Sequence, residues 1–204
     1  PQIGEIGAGM QLGPNAFAAF DALGVGEAAR QRAVYTDHMV MHDAIDEYRV
    51  GIIPTGEAFR QRFGNPYAVI HRADAHLSLL EGVQASDRVS FHTGTRVERV
   101  EQDADGVTVH AERDGQAQQW QGDLVVASDG IRSVVRQQYF AQTQPRYAGY
   151  VAWRGVCDES VLSQHTLATL FPRFGFCMTD TEQIIGYPVA GPGNDLSPGR
   201  RAYN

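Results

Sequence analysis

The sequence predicts an α/β fold with two lobes, and three observations support this prediction. Helix-like and strand-like segments are mixed in the first part of the 204 residues. A three-stranded meander with Asp-Gly turns then leads into a continuous apolar run at Gly122–Gly130, of the kind found in strands buried on both faces. After Pro145 the pattern is mostly strand-like, with little helix, so we expect a lobe boundary there.

The chain opens on a glycine cluster, Gly4–Gly13, that has two interpretations. A GxGxxG loop would let the backbone approach a pyrophosphate at a helix N-terminus. Here the spacing is wrong, because Leu12 stands where the third glycine is required. The strand that feeds such a loop is also not evident in the few preceding residues. We therefore favour a flexible turn that enters the next helix, with a phosphate cradle as the minor alternative.

Two helices are predicted from apolar side chains that recur every third residue. The first begins at Pro14, which suits a first helical turn, and stops before Gly24. The second extends from about Ala73 to Val83. The repeating residues are Phe17, Phe20 and Leu23 in the first helix and Leu77, Leu80 and Val83 in the second.

The remaining segments alternate in the manner of β-strands. A hairpin is expected between Tyr35 and Gly51, and the meander extends from Gly94 to Gln121. The later strand candidates are Tyr150–Cys157, Thr166–Phe171, Gly175–Thr179 and Gln183–Val189.

Charge and composition exclude several classes of function. The chain has 17 Lys and Arg against 24 Asp and Glu, a net charge of −7, and it has no basic run, so nucleic acid is not an expected partner. Its apolar stretches are far shorter than the ~20 residues that span a bilayer, so no membrane association is expected. Two cysteines, Cys157 and Cys177, fit a reducing, cytoplasmic compartment. His38 and His42 share a strand face, but no third ligand accompanies them, and no metal site is predicted.

The predicted buried strand ends in the segment that carries the most chemistry. Ligands of parallel α/β sheets bind beyond the carboxyl ends of the strands, where this chain places Asp129 and Gly130. Asp129 could accept a hydrogen bond from a ribose hydroxyl, and the amides around Ile131 to Ser133 could face an anion. Alternatively, Asp129 simply caps the following helix.

Asp123–Arg136 resembles the Asp-Gly fingerprint of the single-component flavoprotein aromatic hydroxylases, the family of salicylate and 4-hydroxybenzoate hydroxylases. In this segment an apolar strand, Asp-Gly, Ser and a final Arg are all in register. Other segments resemble parts of the same family, and together they cover nearly the whole chain. These are Gly7–Ala16, His71–Leu77, Ala152–Gly155, Tyr187–Val189 and Pro198–Asn204.

The resemblance implies a Rossmann-like FAD-binding lobe, which is incomplete, and a substrate lobe built on a mixed or antiparallel β-sheet. Residues 1–34 and 66–145 would form the FAD-binding lobe, and residues 35–65 and 146–204 the substrate lobe. The family's opening GxGxxG unit and its closing Gly-Asp motif are not found in the sequence. We therefore expect the chain to be an internal fragment of such an enzyme.

The resemblance further implies an FAD-dependent monooxygenase that hydroxylates an electron-rich aromatic ring of the hydroxybenzoate or hydroxypyridine type. It would use NADH or NADPH together with O2, and it could assemble as a homodimer. Arg72, Asp129, Gly130 and Arg132 would bind the FAD, and Tyr187 would line the substrate pocket as a catalytic residue.

Less specific interpretations stay open for each of these residues. Arg72 could be a solvated side chain, Arg132 and Arg136 could form structural ion pairs, and Tyr187 could be a core tyrosine. For the chain as a whole, the alternatives are a flavin-dependent reductase or dehydrogenase of the same fold, and a truncated, non-catalytic binding module that does not hold flavin.

Overall fold

The computed structural model describes residues 9–204, which form two compact units. The smaller unit is Ser90–Ala152, and the larger contains residues 9–89 and 153–204. The helices are α1 (Pro14–Ala22), α2 (Gly26–Arg30), α3 (Glu57–Phe63), α4 (Arg72–Gln84), α5 (Val134–Tyr139) and α6 (Gln164–Leu170), with a 3-10 turn at Glu159–Val161. The strands are β1 (Gly9–Leu12), β2 (Ala33–Tyr35), β3 (His38–Asp43), β4 (Arg49–Pro54), β5 (Ala68–His71), β6 (Thr95–Gln102), β7 (Val107–Arg113), β8 (Gln116–Gly122), β9 (Cys157–Asp158), β10 (Arg173–Met178), β11 (Gln183–Gly186), β12 (Pro188–Val189) and β13 (Ala202–Tyr203).

Strand β5 is the centre of the larger unit. It pairs with β1 on one side and β2 on the other, antiparallel in both cases, and it leads directly into α4. Successive side chains of a strand point to opposite faces. Accordingly, Ile70 packs in one core cluster with Leu12 and Phe17, whereas Val69 packs in a second cluster with Phe174 and Tyr187. One strand therefore joins the two cores of this unit.

Two further sheets complete the larger unit. One has the order β11-β10-β3-β4, in which β10 runs parallel to β3 and the other pairs are antiparallel. The other has the order β12-β13-β9 and is antiparallel. Phe174 on β10 is fully buried and lies in the second core cluster, together with Val189 on β12 and Ala202 on β13.

The smaller unit is the antiparallel meander β6-β7-β8 with helix α5. The Gln138 side chain on α5 binds both backbone groups of Val100 on β6: its amide nitrogen donates to the carbonyl at 2.5 Å, and its oxygen accepts from the N–H at 3.0 Å. The Tyr139 hydroxyl donates to the same carbonyl at 2.9 Å. These three hydrogen bonds fix α5 to the sheet.

The structure confirms the mixed α/β fold class and its long periodic elements. The predicted helices are α1 and α4, and Gly24 follows α1 in the left-handed conformation, with φ +74°. The expected hairpin is β3–β4, and the expected meander is β6–β8.

The prediction of a strand at Thr166–Phe171 is wrong, because these residues lie in and directly after helix α6. The Ser163 hydroxyl accepts a hydrogen bond from the Thr166 N–H at 3.1 Å and so caps the helix. Leu167 and Leu170 stand three residues apart, which is a helical spacing. The expectation of little helix after Pro145 is otherwise confirmed, since α6 and the short 3-10 turn are the helical segments described there, beside the five strands β9 to β13.

The predicted buried strand at Gly122–Gly130 is also wrong. Only Gly122 belongs to a strand, β8, and Leu124 and Val126 are each 78% exposed. An apolar run becomes a buried strand only where other strands flank it, and none of the strands described for residues 9–204 pairs with residues 123–130. Tyr150–Cys157 likewise contributes only Cys157 to a strand.

The opening glycine cluster is described only in part. Gly4 to Ala8 lie outside the described residues, together with the phosphate-cradle alternative that depends on them. Gly9–Leu12 forms strand β1, not the flexible turn that we favoured. The reason is its pairing with β5, which no short-range pattern reveals.

Two findings concern function classes. Among the helices of residues 9–204, none is both long and apolar enough to cross a bilayer. The same residues contain no group of three or more His, Cys, Asp or Glu side chains that could hold a metal ion. The predicted division into a flavin lobe and a substrate lobe stays a prediction, because the two compact units are defined by contacts and not by function.

Candidate cofactor and substrate sites

Arg72 lies where the buried strand β5 passes into helix α4. His71 is the extended residue before the helix, and Arg72 is its first residue and is exposed. The first amides of a helix have no partner within the helix and attract anions, and a guanidinium adds charge-assisted donors. This end of α4 therefore suits a phosphate group.

Tyr187, between β11 and β12, is buried in the second core cluster at 7% exposure. Its ring stacks on Phe174, with centroids 4.9 Å apart and planes inclined by 8°. Its hydroxyl donates a hydrogen bond to the Gly9 carbonyl at 2.8 Å. The phenol is therefore held both by its ring and by its oxygen.

Gly9 makes this arrangement possible because it has no side chain. A Cβ placed on Gly9 would overlap the Tyr187 ring and would lie 2.8 Å from a methyl group of Val189. Any residue larger than glycine at position 9 would therefore displace the Tyr187 ring. The glycine that we interpreted as part of a turn is thus required by a close side-chain approach.

The electrostatic surroundings of Tyr187 define what its hydroxyl can do. Burial raises the pKa of Tyr187, while the positive charge of Arg154, a hydrogen bond from its side chain and the charge of Arg72 oppose that effect. The phenol is therefore neutral at neutral pH, and its proton is committed to the Gly9 carbonyl. Because Arg154 also donates to this oxygen, one lone pair is left to accept a hydrogen bond from a ligand hydroxyl. This geometry suits the orientation of a hydroxyl group and gives Tyr187 no means of removing its proton.

The Asp129 segment belongs to the smaller unit and forms a turn closed by its own hydrogen bonds. The backbone N–H groups of Val134 and Val135 donate to Asp129 Oδ2 at 2.8 and 3.3 Å. The Ser133 hydroxyl accepts from the Arg136 N–H at 2.9 Å. Hydrogen bonds from Ser133 and from these amides lower the pKa of Asp129. The carboxylate thus caps α5, as in the simpler of our two interpretations, while it stays exposed on the surface.

Gly130 and two arginines complete this turn. Gly130 has φ +76°, a left-handed conformation that favours glycine, and open space surrounds the position of a Cβ. The Arg136 guanidinium donates to the carbonyls of Gly130, at 3.3 Å, and of Ile131. Arg136 therefore stabilises the turn through backbone carbonyls and not through the ion pair that we considered for it, whereas Arg132 is exposed on the turn.

Each unit, considered by itself, has polar groups that fit one part of FAD. Arg72 and the start of α4 offer donors to a pyrophosphate, and the exposed Asp129 carboxylate offers acceptors to ribityl or ribose hydroxyls. Gly130 leaves its backbone open to close approach. The chemistry of these residues is thus compatible with the cofactor that the resemblance implies.

A cavity of about 760 Å³ lies within the larger unit, where β5 passes into α4, and it is lined there by His71 at the end of β5 and by Asp74 and Leu77 on α4. Its opposite wall is the loop Gly191–Asn194. Burial raises the pKa of Asp74, and the charges of His71 and Arg32 oppose that shift. The volume falls within the range of small-molecule sites, roughly 300–1,000 Å³.

Sequence reasoning missed several residues that the structure places at these sites. Gly9, Phe174 and Arg154 surround Tyr187, and Asp74 and Asn194 line the cavity. The resemblance covered some of their segments, but no spacing rule connects residues so distant in the chain. Only the helical spacing at the start of α4 was a usable signal, because Asp74 and Leu77 on the helix follow His71, the residue before it, at intervals of three.

Comparison with known families assigns most of the chain. The model of the FAD binding domain family matches residues 9–169. The chain belongs to this family. A second model, described as FAD binding domain-like, matches residues 147–204.

Individual relatives point in the same direction. The chain is 62% identical over 159 residues to the 3-hydroxybenzoate 6-hydroxylase of Polaromonas naphthalenivorans, which is 78% of this chain and 39% of that protein. It is 50% identical over 159 residues to the enzyme of the same name from Klebsiella oxytoca, with the same coverage. The solved structure of Klebsiella pneumoniae HpxO complexed with FAD and uric acid has a TM-score of 0.70 and 28% identity, and it covers 98% of this chain and 46% of that one. The chain therefore spans less than half the length of these relatives.

Proposed function

We propose that this chain is the central part of an FAD-dependent monooxygenase that hydroxylates an electron-rich aromatic ring of the hydroxybenzoate type, with NADH or NADPH and O2. The observation that carries this proposal is the 62% identity to a 3-hydroxybenzoate 6-hydroxylase. A second protein of that name is 50% identical, and a 3-amino-4-hydroxybenzoate 2-monooxygenase of Streptomyces cremeus is 32% identical over 191 residues. These names share a hydroxybenzoate, and none describes a reductase or a dehydrogenase.

Each predicted site residue has a role in this proposal. Arg72 binds the pyrophosphate side of FAD through charge-assisted hydrogen bonds at the start of α4. Asp129 accepts from a cofactor hydroxyl, Gly130 admits the cofactor close to the backbone, and Arg132 adds positive charge on the turn. Bound FAD would supply the redox chemistry with O2 that inserts oxygen into the ring.

Tyr187 contributes substrate orientation. Its hydroxyl donates to the Gly9 carbonyl, so its oxygen accepts a hydrogen bond from the ring hydroxyl of the substrate and fixes the direction of that group. Arg154, whose charge acts on Tyr187, supplies a cation beside it for an anionic substrate. The flavin lobe would comprise residues 1–34 and 66–145, and the substrate lobe residues 35–65 and 146–204.

Two further expectations belong to the proposal. Association of two copies is supported by the apolar side chains on the edge strand β4, since Val50, Ile52 and Ile53 are 57%, 42% and 51% exposed. Sedimentation velocity would report a dimer. A cytoplasmic location is supported by the two unpaired cysteines, Cys157 and Cys177.

Flavin binding is the first test. FAD is titrated into the purified enzyme of which this chain is proposed to be the central part, and quenching of its fluorescence gives the affinity. Asp129→Asn keeps a side chain that caps a helix well but removes the charge, so it should weaken FAD binding without loss of fold. Asp123→Asn, an exposed acid in the same segment, is the matched control and should bind as the unaltered chain does. Absence of FAD binding would favour the non-catalytic binding module instead.

The reaction itself is the second test. The FAD-loaded enzyme that contains this chain is given NADH or NADPH with and without 3-hydroxybenzoate, and oxidation of the reductant and the aromatic product are both measured. A dihydroxybenzoate that forms in proportion to the reductant consumed supports the hydroxylase. Oxidation of the reductant with an unchanged ring would identify a reductase and contradict the proposal.

A further inference from the structure

Three Asp-Gly pairs occur in the sequence, and all of them lie in the smaller unit. They are Asp105-Gly106 and Asp114-Gly115 in the turns of the meander and Asp129-Gly130 before α5. In such a pair the next backbone nitrogen can attack the aspartate carboxyl, because glycine has no side chain to obstruct the approach and leaves the backbone free to rotate. Since the same two residues form all three pairs, a difference in their reactivity has to come from the fold.

The loop between β7 and β8 consists of Asp114 and Gly115 alone, since Arg113 pairs with Gln116. Both loop residues have left-handed backbones, with φ +52° and +76°, as in a type I′ hairpin turn. The Asp114 side chain is 92% exposed, and its carboxylate lies 3.9 Å from the Arg113 Nε, beyond hydrogen-bond distance. Open space surrounds the Cβ position of Gly115. The carboxyl group at this tip can therefore reorient.

One small rearrangement brings the reacting atoms of this loop together. Rotation of the single peptide plane between Asp114 and Gly115 converts a type I′ turn into a type II′ turn, which also joins two strands of a hairpin. In a type II′ turn the first loop residue keeps its positive φ and has a ψ of about −120°. That ψ brings the following nitrogen towards the side-chain Cγ, as closure of a five-membered ring requires. Because Gly115 accepts either sign of φ, the strands need not move.

The pair before α5 has the same sequence but is held. The Asp129 carboxylate accepts hydrogen bonds from the Val134 and Val135 N–H groups, so it has to leave these donors before the Gly130 nitrogen can reach its Cγ. The Gly130 carbonyl is held as well, by the Ser133 N–H at 3.1 Å. The hydrogen bonds to Asp129, first that of the Ser133 side chain, lower its pKa, so the neutral carboxyl that can lose a hydroxyl group is less populated.

The pair in the turn between β6 and β7 is also restrained. Gly106 has φ +143°, and a Cβ at this position would lie 2.8 Å from the Gly122 carbonyl oxygen. The Gly106 carbonyl accepts from the Asp103 N–H at 3.0 Å, and the Asp105 N–H donates to Asp103 Oδ1 at 2.8 Å. Rotation of the peptide plane inside this pair therefore disturbs more contacts than rotation at Asp114.

We propose that Asp114 is a site of spontaneous conversion to isoaspartate. The Gly115 nitrogen forms a bond to Asp114 Cγ, a C–O bond of the carboxyl group breaks, and the hydroxyl leaves with the amide hydrogen as water. The product of this step is a cyclic imide. Water then adds to one of the two ring carbonyls and breaks its C–N bond, which gives aspartate or isoaspartate. No electron is transferred, and water is the only co-reactant.

The product changes the tip of the hairpin and leaves its charge as it was. In isoaspartate the backbone passes through Cβ and Cγ, so the two-residue loop gains one carbon and the carboxylate is attached to Cα. The strand pairs beyond Arg113 and Gln116 do not contain the altered residue. The modification is therefore a local change of the backbone on an exposed loop, and it does not depend on the proposed function.

The test follows the three pairs side by side in the enzyme that contains this chain. The protein is incubated at neutral pH and digested at intervals, and electron-transfer fragmentation of the peptides identifies isoaspartate by its additional backbone carbon. In the folded protein isoaspartate should form at Asp114 at least about 10-fold faster than at Asp129, where charge-assisted hydrogen bonds have to break first. In urea the three pairs should convert at similar rates, because the local sequence is then all that acts on them.

Three variants sharpen this test. Asp114→Glu keeps the charge but lengthens the side chain, so the five-membered ring cannot form and the product should be absent. Asp114→Asn keeps a residue that suits a type I′ turn and releases ammonia in place of water, so it should give the same two products faster. Asp129→Asn is the matched control, because asparagine also caps a helix well, and it should stay intact while the protein is folded. Amide hydrogen exchange in β7 and β8 verifies that each variant retains the meander.

Several outcomes would overturn the inference. Equal rates at Asp114 and Asp129 in the folded protein would do so, as would faster conversion at Asp105 or no isoaspartate at Asp114. A preference for Asp114 that persists in urea would assign the effect to sequence and not to the turn. Equally fast conversion of Asp114→Asn and Asp129→Asn would have the same meaning. These results are independent of flavin binding and ring hydroxylation, which are measured separately.

Discussion

The turn at Asp129 and the contact between Tyr187 and Gly9 are held together in opposite ways. The hydrogen bonds of the turn join residues at most six positions apart, and its carboxylate is exposed. The hydroxyl of Tyr187 reaches a residue 178 positions away, and its ring is buried against Phe174. The turn depends on hydrogen bonds within a few residues of the chain, whereas the position of the tyrosine depends on packing in the folded core. Substitutions that remove the buried packing around Tyr187 should therefore have large effects, loss of its hydroxyl a smaller one, and substitutions at Asp129 small, local effects.

The largest expected effect is that of Phe174→Ala. Phe174 is fully buried and contacts Tyr187, Tyr67 and Phe176, so its removal leaves a cavity in the second core cluster. We expect the free energy of unfolding of the larger unit to fall by about 3–5 kcal/mol, measured by urea denaturation. Phe63→Ala, at a side chain of the same unit that is 49% exposed, is the control and should change it little. Equal effects of the two variants would contradict the contrast.

Glu159 provides the next test, again within the larger unit. Its carboxylate, 5% exposed, accepts from the Arg201 side chain at 2.7 and 3.0 Å and from the Arg201 N–H at 3.1 Å. Glu159→Gln should cost about 2–3 kcal/mol, because it removes charge-assisted hydrogen bonds.

The same pair predicts a dependence of stability on pH. The hydrogen bonds from Arg201 lower the pKa of Glu159 below its usual 4.5. A carboxyl whose pKa is lower in the folded than in the unfolded state stabilises fully above the unfolded value, and this contribution is lost as the pH falls through the folded value. Denaturation midpoints between pH 7 and pH 3 should therefore fall less in Glu159→Gln than in the unaltered chain. Parallel curves for the two proteins would refute this expectation.

Tyr187→Phe should have a smaller effect. The ring and its stacking on Phe174 remain, but the Gly9 carbonyl loses its donor, which should cost about 1–2 kcal/mol. Thermal or urea unfolding measures this cost. In the proposed enzyme the same variant should raise KM for the hydroxylated substrate more than it lowers kcat, because the hydroxyl orients and does not transfer a proton. A variant with unchanged KM would assign Tyr187 to the core alone.

The smallest effect is expected at Asp129. Asp129→Ala removes acceptors for the amides of Val134 and Val135, which should then exchange their hydrogens faster. Stability of the larger unit should not change. Slower or unaltered exchange at these two amides would show that the carboxylate does not hold the turn.

The contrast also explains what the sequence could predict. Helices α1 and α4, the hairpin and the meander follow from periodicity and turn residues that lie close together in the chain. The Asp-Gly turn was recognised in the same way. The prediction of a buried strand around Leu124 and Val126 was wrong because an apolar stretch favours burial but does not by itself provide the neighbouring strands. Helix α6 was missed because a short apolar run fits both the helical and the strand periodicity, and because its Ser163 cap was overlooked.

Such sequence patterns could not predict the sites of the larger unit. The requirement for glycine at position 9 arises from Tyr187 and Val189, which approach it from the other end of the chain. The cavity depends likewise on α4 and on a loop more than 100 residues later. Binary patterns describe one element at a time, so a site formed between distant elements appears only when they are packed together.

Strand β5 gives this arrangement a mechanical consequence. Val69 and Ile70 are adjacent in the chain but belong to different core clusters, and the strand continues without a loop into Arg72. The packing around the aromatic ring of Tyr187 and the first residue of α4 are thus joined by one strand without an intervening loop. Because close-packed interiors transmit strain, we expect a substitution that repacks the Tyr187 cluster to change the amide signals at the start of α4 as well.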